Sequence, residues 1–317
     1  MSAHLTSGWL DASGPVPVER PFTFREARDL GVDRRLLAGW LAEGLLIRPL
    51  EGVYHAAQLP DSLGLRVQCL KLVVPPDAVV TDRTAAWMLG APMALAPGDH
   101  LRVPRVSMFR PPGYRLRNPL ASSGERRLAS DDVMEIGGVR VTVPIRTACD
   151  LGRLLHRDQA LSALDAMMRL GCFGLPELLD RTGRFKGYRR VLQLRALAPL
   201  ADGRSQSPGE SILRLRWLDC GNLPEPTPQL EVPGPFGSYF LDLGVEGVRY
   251  AAEYDGVEWH GPEQREHDRA RRAWVAQELG YEIDVFTSAN IHGRQQDADL
   301  ILRQGILRAR RRFGGHV

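Results

Sequence analysis

The sequence predicts a multidomain α/β protein, and three observations predict it. A length of 317 residues implies two or three domains at about 100–200 residues each. Residues 23–57 read as helix, turn, helix and hairpin, the order of a winged helix-turn-helix. Residues 209–313 read as helix, three strands, helix, strand and helix.

Composition sets the outer limits. Apolar residues are 44% and charged residues 25%, which fits a globular chain and excludes a disordered one. No run approaches the ~18 apolar residues of a membrane-spanning helix, so no membrane role is expected. The opening MSAHLTSGWL lacks a basic segment followed by an apolar one, so the expected location is the cytoplasm. Cys69, Cys149, Cys172 and Cys220 form no C-x-x-C pair and are expected as buried, reduced thiols. The net charge of +3 is too small to argue for nucleic acid by itself. Its distribution is uneven, with 14 arginines and no lysine against 18 acidic residues in 201–317. A basic front and an acidic back suggest different tasks.

Residues 1–20 read as a flexible lead, and 21–64 as the winged helix-turn-helix. Thr23 caps a first helix through FREARDL, with Glu26 three residues on, and Gly31 stops it. Asp33 caps a second helix, RRLLAGWLAEG, with Leu36, Leu37, Trp40 and Leu41 on one face. LLIRPLEGVYHAA then forms two short strands joined at Pro49–Gly52. The second helix of such a motif enters the major groove by its N-terminal end. Arg34 and Arg35 are therefore candidates for guanine or phosphate, and Arg48 on the hairpin for the backbone. A small packing module with solvated arginines is the competing reading.

Residues 65–200 form a middle α/β domain. TDRTAAWMLGA, PIRTACDLGRLL and RDQALSALDAMMRLG read as helices, LRVPRV and GVRVTVP as strands, and RFKGYRRVLQLRAL as one basic amphipathic helix. The Gly/Ser/Pro-rich ADGRSQSPGE marks the boundary to a last domain, 201–317.

In that domain, strands SYFLDLGV and VRYAAEYDG are expected to join through a two-residue turn at Glu246–Gly247. Val245 then faces Val248, and Asp242 lies opposite Ala251. Asp242, Glu253 and Asp255 share a face, with Asp242 and Glu253 on a diagonal of about 7–8 Å. One hard divalent cation spans that distance through oxygen ligands. Glu210 opens the preceding helix, and His260 follows in DGVEWHG. Asp268 and Arg272 stand at i, i+4 on the next helix, a spacing for a supporting ion pair. A solvated polar strand edge is the competing reading of the acids.

This stretch, about 205–317, resembles the very-short-patch-repair-like endonuclease domains of the PD-(D/E)xK superfamily. The residues that carry the resemblance are Glu210, Gln229, Asp242, Glu253, Asp255, His260, Asp268 and Arg272. It implies a restriction-endonuclease-like fold and a metal-dependent DNA endonuclease using Mg²⁺ or Mn²⁺. Asp242 and Glu253 would be the ligands, Glu210 and Asp255 supplementary, and Gln229 an orienting residue. No lysine follows Lys186, so the lysine of the ExK motif is missing, Asp255 stands in its place, and His260 becomes the general-base candidate. The stretch GVDRRLLAGWLAEGLLIRPLEGVYH resembles the winged-helix domain of AbiEi-type antitoxins, covering about 20–95. That resemblance implies a DNA-binding repressor of a type IV toxin–antitoxin system. The partners implied are DNA, a second copy of the chain and a toxin. The alternative to the nuclease is thus a non-catalytic DNA-binding regulator with a degenerate nuclease fold.

Overall fold

Thr23 and Asp33 do start the first two helices, and their geometry shows why. The Thr23 hydroxyl accepts the Glu26 N–H at 3.1 Å and the Asp33 carboxylate the Leu36 N–H at 2.8 Å, so each satisfies one orphan donor of a first turn. The computed structural model describes residues 5–6, 9–91, 103–113, 121–256 and 262–313. The chain forms two compact units, one of residues 1–91 with 95–150, the other of 92–94 with 151–317.

In the first unit, β1 (Leu5–Thr6), β2 (Trp9–Leu10) and β3 (Phe22–Thr23) lead into α1 (Phe24–Asp29) and α2 (Arg34–Ala42). The hairpin β4 (Leu46–Leu50) and β5 (Val53–Ala56) follows, and β3, β5 and β4 form one sheet. Residues 9–20, expected as a lead-in, contribute Leu10 and Val16 to the core beneath this segment, beside Phe22, Leu37, Trp40 and Tyr54. α3 (Leu63–Lys71), β6 (Val79–Val80), α4 (Asp82–Leu89), β7 (Val106–Arg110), β8 (Ala121–Glu125), β9 (Val133–Ile136), β10 (Val139–Thr142) and α5 (Pro144–Leu154) complete the run. Their sheet has the order β8-β7-β6-β10-β9. The strand expected at LRVPRV begins only at Val106, after Pro104, which has no N–H to donate.

Buried charge is paired throughout this unit. Arg126 grips Asp82 with both nitrogens, at 2.7 and 2.9 Å, and reaches Asp150 at 3.2 Å. Arg146 joins Asp150 at 2.9 Å and bonds Asp132 as well. The Arg126 guanidinium also lies over the Phe109 ring, 4.0 Å from its centroid.

The second unit takes in the end of α5 from Leu151, followed by α6 (Arg157–Arg169), α7 (Leu175–Thr182), α8 (Val191–Leu197) and α9 (Pro208–Asp219). The single basic helix expected over 184–197 is broken instead. Gly187 and Arg190 take positive φ, 82° and 61°, and only Val191–Leu197 continues as a regular helix. α9 is tied back to α6 by a buried pair, Arg214 to Asp165 at 2.7 Å, so the Gly/Ser/Pro-rich segment expected as a boundary lies within this unit. β11 (Thr227–Gly234), β12 (Gly237–Val245) and β13 (Tyr250–Tyr254) follow, then α10 (Pro262–Glu278), β14 (Glu282–Phe286), α11 (Ser288–Ile291) and α12 (Ala298–Phe313). The sheet order is β11-β12-β13-β14, antiparallel except for the parallel pair β13–β14. Trp217, Tyr250, Phe286 and Leu302 pack with α9, α11 and α12 in one core. Val275 of α10 joins Val232, Leu241 and Tyr281 in a second. Burying each such side chain contributes about 1.5–3 kcal/mol.

Two expectations about side chains change. Cys69 and Cys149 are buried, but Cys220 is half-buried and Cys172 exposed, on the turn after α6. The β12–β13 turn holds four residues, Glu246–Arg249, because Arg249 closes it in the left-handed conformation at φ 49°. Val245 therefore pairs with Tyr250 rather than Val248, and Gly244 with Ala251. No described helix is long and apolar enough to cross a membrane.

Gly209 marks the closest approach between α9 and the sheet. A Cβ there would collide with the Tyr254 ring. Gly209→Ala should thus destabilise the protein by about 1–3 kcal/mol through overpacking, read as a lower midpoint in urea unfolding. An unchanged midpoint would show that α9 and Tyr254 can separate at no cost.

Candidate functional site

The four-residue turn moves the register by two, and that shift decides the site. Leu243 pairs with Ala252, so the next step brings Asp242 level with Glu253 on the neighbouring strand. On the other side, Pro228↔Leu243 and Leu230↔Leu241 flank Gln229, which is level with Asp242. Gln229, Asp242 and Glu253 therefore occupy one row across β11, β12 and β13, closer than the expected diagonal. The row is irregular. Gln229 has φ 50°, and the Tyr254 N–H donates to Asp242 Oδ2 at 2.8 Å. A side chain takes the ladder's next acceptor position, and the regular β12–β13 pairing ends there.

Glu210 reaches the row from α9. Ser207 caps that helix by accepting the Glu210 N–H at 3.1 Å. Glu210 Oε2 in turn accepts the Gln206 N–H and the Gln229 side-chain amide, both at 2.9 Å. This is a variant of the capping box, and the spacing Ser207-x-x-Glu210 could have revealed it. Gln206 also donates to Gln229 Oε1 at 3.0 Å.

Glu253 is 2% exposed. Arg271 donates to its Oε2 at 2.9 Å and Arg272 to the same oxygen at 3.3 Å. Arg272 was expected beside Asp268. It donates to Glu253, and Arg271 was not anticipated at all. Two adjacent arginines late in HDRARRAW were the available signal. Among the described residues, Glu253 Oε1 is buried with no hydrogen-bond partner. Asp255 lies just beyond β13, and its N–H donates to the Phe286 carbonyl at 2.7 Å. His260 lies outside the described residues.

Electrostatics follow from this crowding. Burial pushes the Asp242 carboxyl up to about 7, helped by the Glu210 and Glu253 carboxylates and opposed by the Tyr254 N–H and Arg271. Burial likewise raises Glu253, against the lowering effect of Arg271 and Arg272. The orphaned Glu253 oxygen beside Asp242 is the feature that fits a hard cation. Among the described residues, no group of three or more His, Cys, Asp or Glu could hold one. Two carboxylates would be the attachment of such an ion, with water completing its shell.

The DNA candidates lie in the first unit. Arg34 and Arg35 are exposed at the start of α2, and Arg48 is half-buried on β4. Arg34 sits over the Phe24 ring at 5.0 Å and Arg48 over Tyr54 at 5.6 Å. Both arginines line a cavity of about 480 Å³ between α2 and the hairpin, floored by Leu37, Leu41 and Tyr54.

The raised Asp242 value carries a sign. A folded carboxyl that ionises near pH 7 holds its proton while the unfolded one, near 3.8, has lost it. Stability therefore falls as pH rises from about 4 to 7 and levels off above. In EDTA, Asp242→Asn should raise the melting temperature at pH 8 while leaving it little changed at pH 4. The gain should be on the order of 1–3 kcal/mol. An equal shift at both pH values would contradict a buried, proton-holding Asp242.

Residues 78–200 match the model of the AbiEi antitoxin C-terminal domain, so the antitoxin-like part rests on the middle of the chain. Two curated proteins of Mycobacterium tuberculosis, "Uncharacterized protein Rv2248" of strain H37Rv and "Uncharacterized protein MT2308" of strain CDC 1551, are each 34% identical over 252 residues. Each alignment covers 79% of this chain and 88% of the relative. The crystal structure of the RV2827C protein from M. tuberculosis is matched at a TM-score of 0.29 and 14% identity, over 69% of this chain and 84% of that one. The chain belongs to the family of these two mycobacterial relatives, with an AbiEi antitoxin C-terminal domain match at its centre.

Proposed function

We propose that this protein is a DNA-binding regulator of antitoxin type whose residues 21–64 act as a winged helix. The observation that carries the reading is the display of Arg34 and Arg35 at the exposed start of α2, with Arg48 on the hairpin beside them. That is the end of a recognition helix that meets the major groove. The antitoxin match over 78–200 supports the same reading. On it, the protein works in the cytoplasm as a homodimer on a two-fold site, in company with a toxin.

A second reading, a metal-dependent endonuclease with a PD-(D/E)xK-like domain, is favoured by the Asp242–Glu253 row and the orphaned Glu253 oxygen. Asp242 and Glu253 would hold Mg²⁺ or Mn²⁺, with Glu210 in support. A bound metal supplies a more acidic water and a polarised phosphoryl oxygen. Gln229, fixed by Glu210 and Gln206, would orient the site, Asp255 would support it, and His260 would move the proton.

Two measurements separate the readings. Fluorescence anisotropy on DNA from upstream of the protein's own gene should show Arg34→Ala plus Arg35→Ala weakening binding by at least about ten-fold. Unchanged binding removes α2 from recognition. Incubation of supercoiled DNA with Mg²⁺ should leave it intact if regulation is the whole function. Nicking that disappears in both Asp242→Ala and Glu253→Ala would establish the second reading.

A further inference from the structure

The Glu210 and Glu253 carboxylates act on Asp242, and two guanidiniums answer Glu253. Arg271 and Arg272 both donate to Glu253 Oε2, and Arg271 donates its other nitrogen to the Phe240 carbonyl at 3.1 Å. The arrangement is lopsided, because Oε1 of the same buried carboxylate has no partner among the described residues. A buried acceptor left unmade is costly, so positive charge supplied on that side would be favourable. The two guanidiniums oppose this, since they already neutralise Glu253 and repel a third cation. A divalent metal and the arginine pair thus compete for one carboxylate.

A phosphodiester would relieve that competition. Guanidinium binds phosphate oxygens through parallel hydrogen bonds and is weakly hydrated, so it exchanges readily between carboxylate and phosphate. Both arginine side chains are 18% exposed while that of Glu253 is 3% exposed, so the arginines are the part of the cluster that an arriving anion can reach.

We infer that Arg271 and Arg272 are exchangeable counter-charges. They hold Glu253 in the metal-free protein, and they release it to a divalent cation when a nucleic-acid phosphate takes them up. Metal and phosphodiester then bind with positive coupling, equal in both directions. The inference rests on the second reading above and specifies how its site is loaded.

The test counts free Mn²⁺ by electron paramagnetic resonance during titration of the full chain. It is run alone, with a short DNA duplex, and with the same duplex made of uncharged methylphosphonate linkages. The expected result is an Mn²⁺ affinity about ten-fold higher with the charged duplex and unchanged with the neutral one. In Arg271→Gln plus Arg272→Gln, Mn²⁺ should bind more tightly without DNA, and the gain from DNA should largely vanish. Asp242→Asn should lose the Mn²⁺ site in every condition. If the double variant melts early, Arg272→Gln alone should show the same change in smaller degree. Equal affinity with and without charged DNA, or a full gain retained in the variants, overturns the inference while leaving the metal site standing. Tight DNA binding with no Mn²⁺ uptake in any arm overturns the metal reading and the inference with it.

Discussion

A carboxylate on a side chain only 3% exposed requires opposite charge, and Glu253 meets that requirement through α10. Much of the second unit follows from this constraint. Glu253 sits on β13, an interior strand of the four-stranded sheet, where little solvent reaches it. α10 must therefore cross the sheet so that Arg271 and Arg272 arrive at that strand. Val275, fully buried four residues after Arg271, anchors the helix in that position. Asp242 completes the arrangement by turning its carboxylate to the Tyr254 N–H, which ends the regular ladder beside the acids.

The same solution recurs elsewhere. Arg126 and Arg146 thread between Asp82, Asp150 and Asp132 in the first unit, and Arg214 answers Asp165 in the second. All but two of the 41 basic residues are arginine, and a planar, multidentate cation is the side chain suited to buried pairs. Many of these arginines thus work inside the protein. Net charge by itself was a weak guide to a nucleic-acid partner for that reason, whereas the position of Arg34 and Arg35 at an exposed helix start is specific.

Most of the fold was legible from local chemistry. Thr23 and Asp33 as caps, the hairpin around Gly52, and every element from α9 to α12 except the short α11 could be read from periodicity and capping. What escaped was governed by tertiary contact or by single backbone conformations. Arg249 in the left-handed region lengthens a turn that Glu246–Gly247 would otherwise close, and no periodicity reports that. The error was two residues, an even number, so strand alternation at Asp242 and Glu253 was kept while their separation shrank. Arg271 was missed because a polar helix face looks solvated until the buried acid it serves is known. Leu10 and Val16 were missed because isolated apolar residues among Pro and Gly carry no period.

The topology of the second sheet also bears on the order of assembly. β11, β12 and β13 are joined by short turns, so their pairing needs only local loop closure. The parallel partner β14 is reached only after α10, and a crossover of that length closes more slowly. The meander is expected to form first and the crossover to seal it. The acidic row thus stays hydrated in the growing sheet and loses its water only as the helix bearing its arginines docks. Dehydration and neutralisation become a single late event, and the chain need not traverse a state with bare negative charge shut away from solvent.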